Sequence, residues 1–223
     1  MSVRNIPLSK RSITGTLSSN KSDYAAKFES SLERDFLILL EFDVTVSKFI
    51  VQPVKVPYCD QNSIQRTYTP DVLCHYVDNS FLVPKPTKTV LYEVKYRSDL
   101  KENWLKYKVK FRAAMKYAHT RGWKYSIVTE REIRTDYFRN ARFLLSYRKL
   151  PLDNSLFSAA MDHMEELRET DPETLVSVLS RDFDNKAENI FLVWQMLAKN
   201  YIKADLSIPL TMKSKIWLPY LPL

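Results

Sequence analysis

Apolar residues along this chain recur with two spacings, and their order predicts an α/β fold. Up to residue 129, two segments place apolar residues at helical intervals, and four others are rich in strand-forming residues. A third helix is predicted after them. The order helix, strand, strand, strand, helix, strand predicts a mixed sheet flanked by helices, an α/β sandwich. Strands are predicted over 46–58, 67–77, 90–97 and 123–129, and helices over 24–41, 99–119 and about 134–149.

The end of the chain has a different pattern. Helices are predicted near 154–168, 172–180 and 185–199, and residues 201–218 alternate like a hairpin. Three helices and a hairpin suggest a small winged-helix-like α+β domain. The predicted domains are a flexible basic arm over 1–22, a main domain over 23–150 and a partner-binding domain over 151–223.

Three local expectations follow from the same patterns. Asp23 precedes the first helix and is expected near its start. Trp104, Phe111 and Met115 are expected on the buried stripe of the second helix, and Gly122 is expected to end it.

Composition removes several functional classes. The 223 residues include only two glycines, which excludes a Walker A loop and a dinucleotide-binding glycine fingerprint. We find no apolar run long enough to span a bilayer and no apolar segment typical of a secretory signal, so we expect a cytoplasmic protein without a membrane partner. Cys59 and Cys74 are expected as buried free thiols.

Charge is unevenly distributed along the chain. Residues 1–150 contain 27 Lys and Arg against 15 Asp and Glu, whereas residues 151–223 contain 7 against 11. A basic body suits a polyanion such as DNA. The acidic end is expected to contact protein instead.

The strand at 90–97, V-L-Y-E-V-K-Y-R, contains two charged residues in its middle. Side chains alternate between the faces of a strand, so Leu91, Glu93 and Lys95 share one face. A solvated surface pair is the ordinary explanation of Glu-x-Lys. Convergence of further acidic residues on the same place would favour a functional site.

Two other carboxylates are candidates for that place. Asp71 follows Pro70 at the start of the preceding strand, although a turn-forming Asp is the alternative interpretation. Glu33 lies on the preceding helix, where Glu29 competes with it for the same role. Clustered carboxylates are tolerable when they bind a divalent cation, and Mg²⁺ prefers such oxygen ligands. The predicted site therefore contains Glu33, Asp71 and Glu93 as metal ligands and Lys95 as the residue that positions water.

The pattern Glu, Pro-Asp and Glu-x-Lys resembles the signature of the restriction-endonuclease-like fold. Four longer segments resemble the TnsA family of transposon-end endonucleases. They are F-E-S-S-L-E-R-D-F at 28–36, R-T-Y-T-P-D-V-L at 66–73, L-Y-E-V-K at 91–95 and Y-S-I-V-T-E-R-E-I at 125–133. The resemblance covers about residues 24–150 and extends more loosely to the C-terminal domain. The sequence departs from the best-known member, which has Gln at the position of Glu93.

The resemblance implies a bacterial, Mg²⁺-dependent endonuclease, with Mn²⁺ as a substitute ion. It would cleave the 5′ strands at double-stranded transposon ends, while a TnsB-type transposase cuts the 3′ ends and a TnsC-type AAA+ ATPase binds the C-terminal domain. Carried over by motif, Glu33, Asp71, Glu93 and Lys95 would be catalytic. A restriction or resolvase-type nuclease and a non-catalytic DNA-bound adaptor stay open as alternatives.

Basic residues near this site are candidates for contact with DNA. A Lys-rich helix is usually a solvated face, but the charge excess in this half favours DNA contact. The predicted DNA-binding residues are Arg66, Arg97, Lys101, Lys106, Lys108, Lys110 and Arg112.

Overall fold

A computed structural model describes residues 13–60, 62–78 and 85–219. The chain divides into two units between Arg134 and Thr135, and each is described by itself. This division lies before the predicted one because the helix over 136–148 packs against a helix of the second unit. None of the helices in the described ranges is long and apolar enough to cross a membrane.

Part of the predicted flexible arm is a strand. Residues 1–12 lie outside the described part, but strand β1 (Gly15–Leu17) pairs antiparallel with strand β2 (Ala26–Phe28). A Cβ atom on Gly15 would lie 2.5 Å from Cζ of Phe28, so the packing of the two strands requires glycine there.

The first helix begins later than the pattern predicts. Helix α1 (Ser31–Phe42) is capped by Ser30, whose side chain accepts a hydrogen bond from the backbone of Glu33 at 3.1 Å. Asp23 is not its cap and instead lies 2.5 Å from Nζ of Lys48. The predicted helix was too long because its first residues form β2.

Two of the predicted strands are each interrupted. The segment 46–58 contains two strands separated at Gln52, where φ is +49°, and Pro70 separates the two strands of 67–77. These strands are β3 (Val46–Val51), β4 (Val56–Cys59), β5 (Gln65–Tyr68) and β6 (Val72–Asp78).

The central sheet has four strands and is mixed, as predicted. Its order is β3, β6, β7 (Lys85–Val94) and β8 (Lys124–Val128), with β7 and β8 parallel and the other pairs antiparallel. Strands β4 and β5 form a separate antiparallel pair, called the β4–β5 hairpin below. Between and after the last strands lie helices α2 (Arg97–Glu102), α3 (Trp104–His119) and α4 (Glu130–Ile133).

The two faces of β7 contact different helices. Val94 packs in a cluster with Leu32 and Phe36 of α1. Leu91 packs with Ala118 of α3 on the other face. The predicted alternation along this strand is therefore confirmed, and the sheet is flanked by helices as expected.

Helix α3 and the cysteines correct three expectations. Phe111 is buried, but Trp104 and Met115 are 47% and 56% exposed, because the buried stripe of α3 is narrow. Helix α3 ends at His119 with Thr120 as its C-cap, and Gly122, with φ of +69°, lies in the turn three residues after the helix. Both cysteines are free, but Cys59 is exposed and only Cys74 is buried.

The second unit contains four helices and a small sheet within the described residues. Asn140 joins its first helix to a later loop through Nδ2, which donates to the carbonyl oxygens of Leu206 and Ile208. Three short antiparallel strands pair in the order β10 (Lys203–Ala204), β11 (Ile216–Trp217) and β9 (Glu169–Thr170). The winged-helix assignment stays a prediction. The elements are α5 (Asp136–Arg148), α6 (Asn154–Leu167), β9 (Glu169–Thr170), α7 (Pro172–Leu179), α8 (Lys186–Ala198), β10 (Lys203–Ala204) and β11 (Ile216–Trp217).

Candidate active site

A cleft of about 470 Å³ lies in the first unit, at the end of β7. Its lining combines residues of α1, α3, the β4–β5 hairpin and the ends of β6 and β7. The cleft is lined by all four residues predicted as catalytic, Glu33, Asp71, Glu93 and Lys95. Its lining also includes Glu29, Lys55, Tyr68 and Lys110.

Asp71 and Glu93 meet because their strands are neighbours, as the sequence predicts. Val72 at the start of β6 pairs with Tyr92 of β7. The Asp71 carboxylate accepts a hydrogen bond from the backbone nitrogen of Val94 at 2.7 Å. This bond fixes Asp71 beside the end of β7. Asp71 is therefore more than a turn-forming residue.

Lys95 is held among oxygen atoms. Its Nζ lies 2.9 Å from Oε1 of Glu93, 3.0 Å from the carbonyl oxygen of Val94 and 3.5 Å from Oδ2 of Asp71. Glu93 is 1% exposed. Glu93 and Lys95 are therefore not a solvated surface pair, because burying these charges requires the contacts that surround them.

Tyr68 holds the second oxygen of Glu93, a contact that the sequence analysis missed. Its hydroxyl donates to Oε2 of Glu93. The ring is buried in a cluster with Val56 of the hairpin and Phe111 of α3. The position of Tyr68 three residues before Asp71 is the available sequence signal, and it becomes informative only once the hairpin is known.

Both acidic candidates of the first helix reach the cleft. The Glu33 carboxylate accepts hydrogen bonds from the backbone nitrogen of Glu29 at 2.8 Å and from Oγ of Ser30 at 3.0 Å. Glu29 accepts one from Nε2 of the buried Gln52 at 3.2 Å. Glu33 is therefore held by the two residues that precede α1, and Glu29 is held by Gln52, which directly follows β3.

The carboxyl groups oppose one another's ionisation. Burial raises the pKa of Glu93 to about 7, and the charge of Asp71 adds to the rise. The pKa of Glu33 is also raised to about 7, mainly by burial and secondly by the charge of Asp71. Burial lowers the pKa of Lys95, but Asp71 and Glu93 together outweigh it, so this pKa lies above its usual value. Additional positive charge would therefore stabilise the ionised cleft.

The oxygen atoms around Lys95 suit a hard cation. Two carboxylate oxygens and one carbonyl oxygen, from Asp71, Glu93 and Val94, converge on the ammonium group. Mg²⁺ and Mn²⁺ prefer such donors. Among the described residues no three acidic, His or Cys side chains are grouped closely enough to hold a metal. Participation of Glu33 in a three-carboxylate site thus stays a prediction.

The predicted DNA-binding residues do not share one surface. Lys110 lines the cleft, whereas Arg66 and Lys106 line a second groove beside the β4–β5 hairpin. Arg66 also pairs with Asp60 at 2.5 Å. The spacing of α3 places Lys108 and Arg112 on another side of the helix. Arg97 and Lys101 are exposed on α2.

Comparison with known proteins supports the same interpretation. Residues 43–130 match the model of the TnsA-like endonuclease N-terminal domain. The matched segment contains Asp71, Glu93 and Lys95, while Glu33 precedes it. The mixed sheet flanked by helices is consistent with a restriction-endonuclease-like fold. A search of curated proteins found no match. The resemblance identified from the sequence is thus confirmed for this segment, which indicates a transposon-related nuclease.

Proposed function

We propose that this chain is the Mg²⁺-dependent nuclease that cleaves the 5′ strands at transposon ends, acting with a separate transposase subunit. The observation that carries the proposal is the convergence of Asp71, Glu93 and Lys95 in one cleft of the matched segment. Two buried or half-buried carboxylates beside a lysine have the composition that metal-assisted phosphodiester hydrolysis requires.

Asp71, Glu93 and the carbonyl oxygen of Val94 would hold the ion. When bound, Mg²⁺ polarises the phosphodiester and lowers the pKa of a water molecule. Glu33 is proposed as an additional ligand, since it lies in the same cleft and its pKa responds to Asp71. Mn²⁺ is expected to substitute for Mg²⁺ because it prefers the same oxygen ligands.

Lys95 acts as a hydrogen-bond donor in this proposal. Its raised pKa keeps the amine protonated at neutral pH, which suits a group that orients water or contacts a phosphate oxygen. Tyr68 fixes the orientation of Glu93 by occupying Oε2 and leaving Oε1 directed at Lys95. The polypeptide thus contributes orientation and charge.

Partner proteins complete the proposal. The first 150 residues carry the positive excess and would contact transposon-end DNA, while residues 151–223 have more acidic than basic side chains. We propose that the C-terminal unit binds a TnsC-type AAA+ ATPase. A TnsB-type transposase would cut and join the 3′ ends.

Strand-specific cleavage of a labelled transposon-end duplex tests the proposal. The reaction contains the transposase, the AAA+ ATPase, ATP and Mg²⁺, with wild-type protein, Asp71→Ala or Asp71→Asn. We expect both variants to lose 5′ nicking while 3′ cleavage continues. Asp23→Ala is the matched control, because Asp23 is an exposed carboxylate of the same unit outside the cleft.

Other results favour the alternatives. Persistent 5′ nicking by Asp71→Ala would overturn the metal site and favour a DNA-bound adaptor. Efficient nicking by the isolated chain, without either partner, would favour a restriction or resolvase-type nuclease.

A further inference from the structure

Lys110 is a second lysine in the cleft, and its surroundings differ from those of Lys95. It lies on α3 with Nζ 4.3 Å from the ring centroid of Tyr107 and 4.7 Å from that of Tyr68. A cation over aromatic rings is attracted by their negative faces. The two rings therefore fix the ammonium group at the wall of the cleft.

The ammonium group of Lys110 has no oxygen partner within the described ranges. No carboxylate of these residues lies within 4.0 Å of its Nζ, and no hydrogen bond to it is formed. Lys95, in contrast, contacts three oxygen atoms. Burial lowers the pKa of Lys110, as expected for a cation that has lost part of its hydration. Its three donors are available for an anionic ligand.

Tyr68 joins this cation to the acidic part of the cleft. Its hydroxyl donates to Glu93 and its ring lies beneath the Lys110 ammonium. One rigid side chain thereby sets the position of both groups. An anion that contacts Lys110 must approach the carboxylates Asp71 and Glu93, where anions are repelled unless a cation is bound. A phosphodiester carried by a divalent ion has this combination of properties.

We propose that Lys110 is a further catalytic residue, which donates to a non-bridging oxygen of the scissile phosphodiester. This inference rests on the proposed nuclease function. Lys110 keeps its proton throughout. The bond from the water oxygen to phosphorus forms, the bond to the leaving oxygen breaks with its electron pair on that oxygen, and the proton lost by the water is replaced on the leaving oxygen from solvent. It stabilises negative charge on the phosphoryl oxygens.

The other cations of α3 serve as a comparison. Lys106 lies one turn earlier and lines the groove beside the hairpin, where Arg66 also lies. Lys116 is exposed and does not line the cleft. A change at Lys110 should therefore have an effect that a matched change at Lys116 lacks.

The test compares Lys110→Met with Lys116→Met, since both remove one charge and keep an unbranched side chain. Single-turnover 5′ nicking is measured at saturating duplex in the reconstituted reaction, with duplex affinity measured separately. We expect Lys110→Met to slow nicking by about 10²–10³-fold, and Lys116→Met to nick at the wild-type rate. Lys110→Arg should restore part of the rate because it restores the charge. Thermal unfolding confirms that each variant is folded.

A neutral substrate gives a second readout. A duplex with an uncharged methylphosphonate at the nicked position should bind wild type more weakly than the normal duplex. The difference in affinity between the two duplexes should be smaller for Lys110→Met than for wild type, because the uncharged phosphonate has no charge for Lys110 to contact.

Three results separate the possibilities. Nicking by Lys110→Met at the wild-type rate overturns the inference, even if Asp71→Ala is inactive and the proposed function stands. Weaker duplex binding with an unchanged saturated rate also overturns it, since Lys110 would then be an ordinary backbone contact. Retained nicking by Asp71→Ala overturns the proposed function and this inference with it.

Discussion

The hydroxyl of Tyr68 donates to the carboxylate of Glu93, although the two residues belong to different sheets. Tyr68 comes from the β4–β5 hairpin and Glu93 from the central strand β7. The orientation of a candidate metal ligand therefore depends on a hairpin that the strand pattern did not separate from its neighbours.

Tyr68→Phe should shift the acidic limb of the pH–rate profile to higher pH. The hydroxyl lowers the pKa of Glu93, so its loss raises that pKa further. The buried oxygen left without a donor should cost about 1–3 kcal/mol of unfolding free energy. Urea unfolding and nicking rates between pH 5.5 and 9 measure both effects. Tyr58→Phe in the same hairpin should shift neither, and an unshifted limb in Tyr68→Phe would contradict the assigned contact.

Lys95→Met should abolish nicking but retain binding of Mn²⁺. The ammonium contacts the same three oxygen atoms that would bind the ion, so removing it removes a competitor. Mn²⁺ binding measured by electron paramagnetic resonance should be as tight as in wild type or tighter. Asp71→Ala should bind Mn²⁺ more weakly. Weaker binding by Lys95→Met would mean that the oxygens depend on the lysine for their arrangement.

Stability without metal should fall as the pH rises through about 7. The pKa values of Glu33 and Glu93 are raised from 4.5 to about 7 in the folded chain. Their contribution to stability is therefore complete below pH 4.5 and is lost as the pH passes through about 7. In EDTA, urea unfolding should give a free energy lower at pH 8 than at pH 5.5 by on the order of 1–3 kcal/mol.

A variant and a metal ion check this pH dependence. Glu93→Gln should have a shallower dependence, because one of the two titrating groups is absent. Adding Mg²⁺ should recover stability mainly at the higher pH, where the carboxylates are ionised. Equal recovery at both pH values would argue against binding by these carboxylates.

Arg134→Met should destabilise the first unit. Arg134 Nε lies 2.9 Å from Oδ2 of the buried Asp35, and its Nη2 also donates to Ser31 and Tyr96. Asp35 would keep a single cation partner, Arg34, at 2.7 Å. We expect a loss of about 1–3 kcal/mol in urea unfolding.

The control for this variant is Arg131→Met. Arg131 is exposed on the same short helix α4 and forms no ion pair among the described residues. Equal unfolding free energies for the two variants would mean that the contacts of Arg134 contribute nothing.

One of the two cysteines should react rapidly with a thiol reagent. Cys59 is exposed, whereas Cys74 is 0% exposed and burial raises its pKa to about 12. Native protein treated with Ellman's reagent should release one equivalent quickly and a second only after unfolding. Cys59→Ser should remove the fast phase, and a fast phase that survives would mean that Cys74 is accessible.

The positions of the catalytic candidates could be predicted from sequence because they follow simple rules of strand geometry. Residue alternation placed Glu93 on a definite face, and neighbouring strands brought Asp71 to the same end. Glu33 was preferred to Glu29 because its segment resembles the TnsA family, and both residues line the cleft. Strand alternation and the resemblance to the TnsA family were sufficient for this level of description.

The errors came from single residues that override a periodic pattern. Gln52 adopts a positive φ and ends β3 inside a run of strand-forming residues, so one predicted strand became two. Ser30 starts α1 where the apolar spacing already looked helical. Neither the end of β3 nor the start of α1 is marked by a change in apolar periodicity. Both depend on backbone conformations that tertiary contacts select.

Residues that act through side-chain packing were also missed. Tyr68 was not predicted, and Lys110 was predicted only as a DNA contact; both reach the cleft because the hairpin packs against α3 through Phe111. That packing joins segments more than forty residues apart, and spacing within either segment carries no information about it. The distinction between Lys110 and the other lysines of α3 has the same origin.

Strand β7 and the β4–β5 hairpin differ in the free energy at which we expect them to open. Strand β7 is hydrogen-bonded on both edges, to β6 and to β8, so its amide hydrogens exchange with solvent only when the central sheet opens. The β4–β5 hairpin is a separate two-stranded pair packed against α3, so we expect it to open at a lower free energy. Opening of the hairpin would remove Tyr68 from Glu93 while Asp71, Glu93 and Lys95 stay in place, so the proposed catalytic geometry would be lost without unfolding of the central sheet.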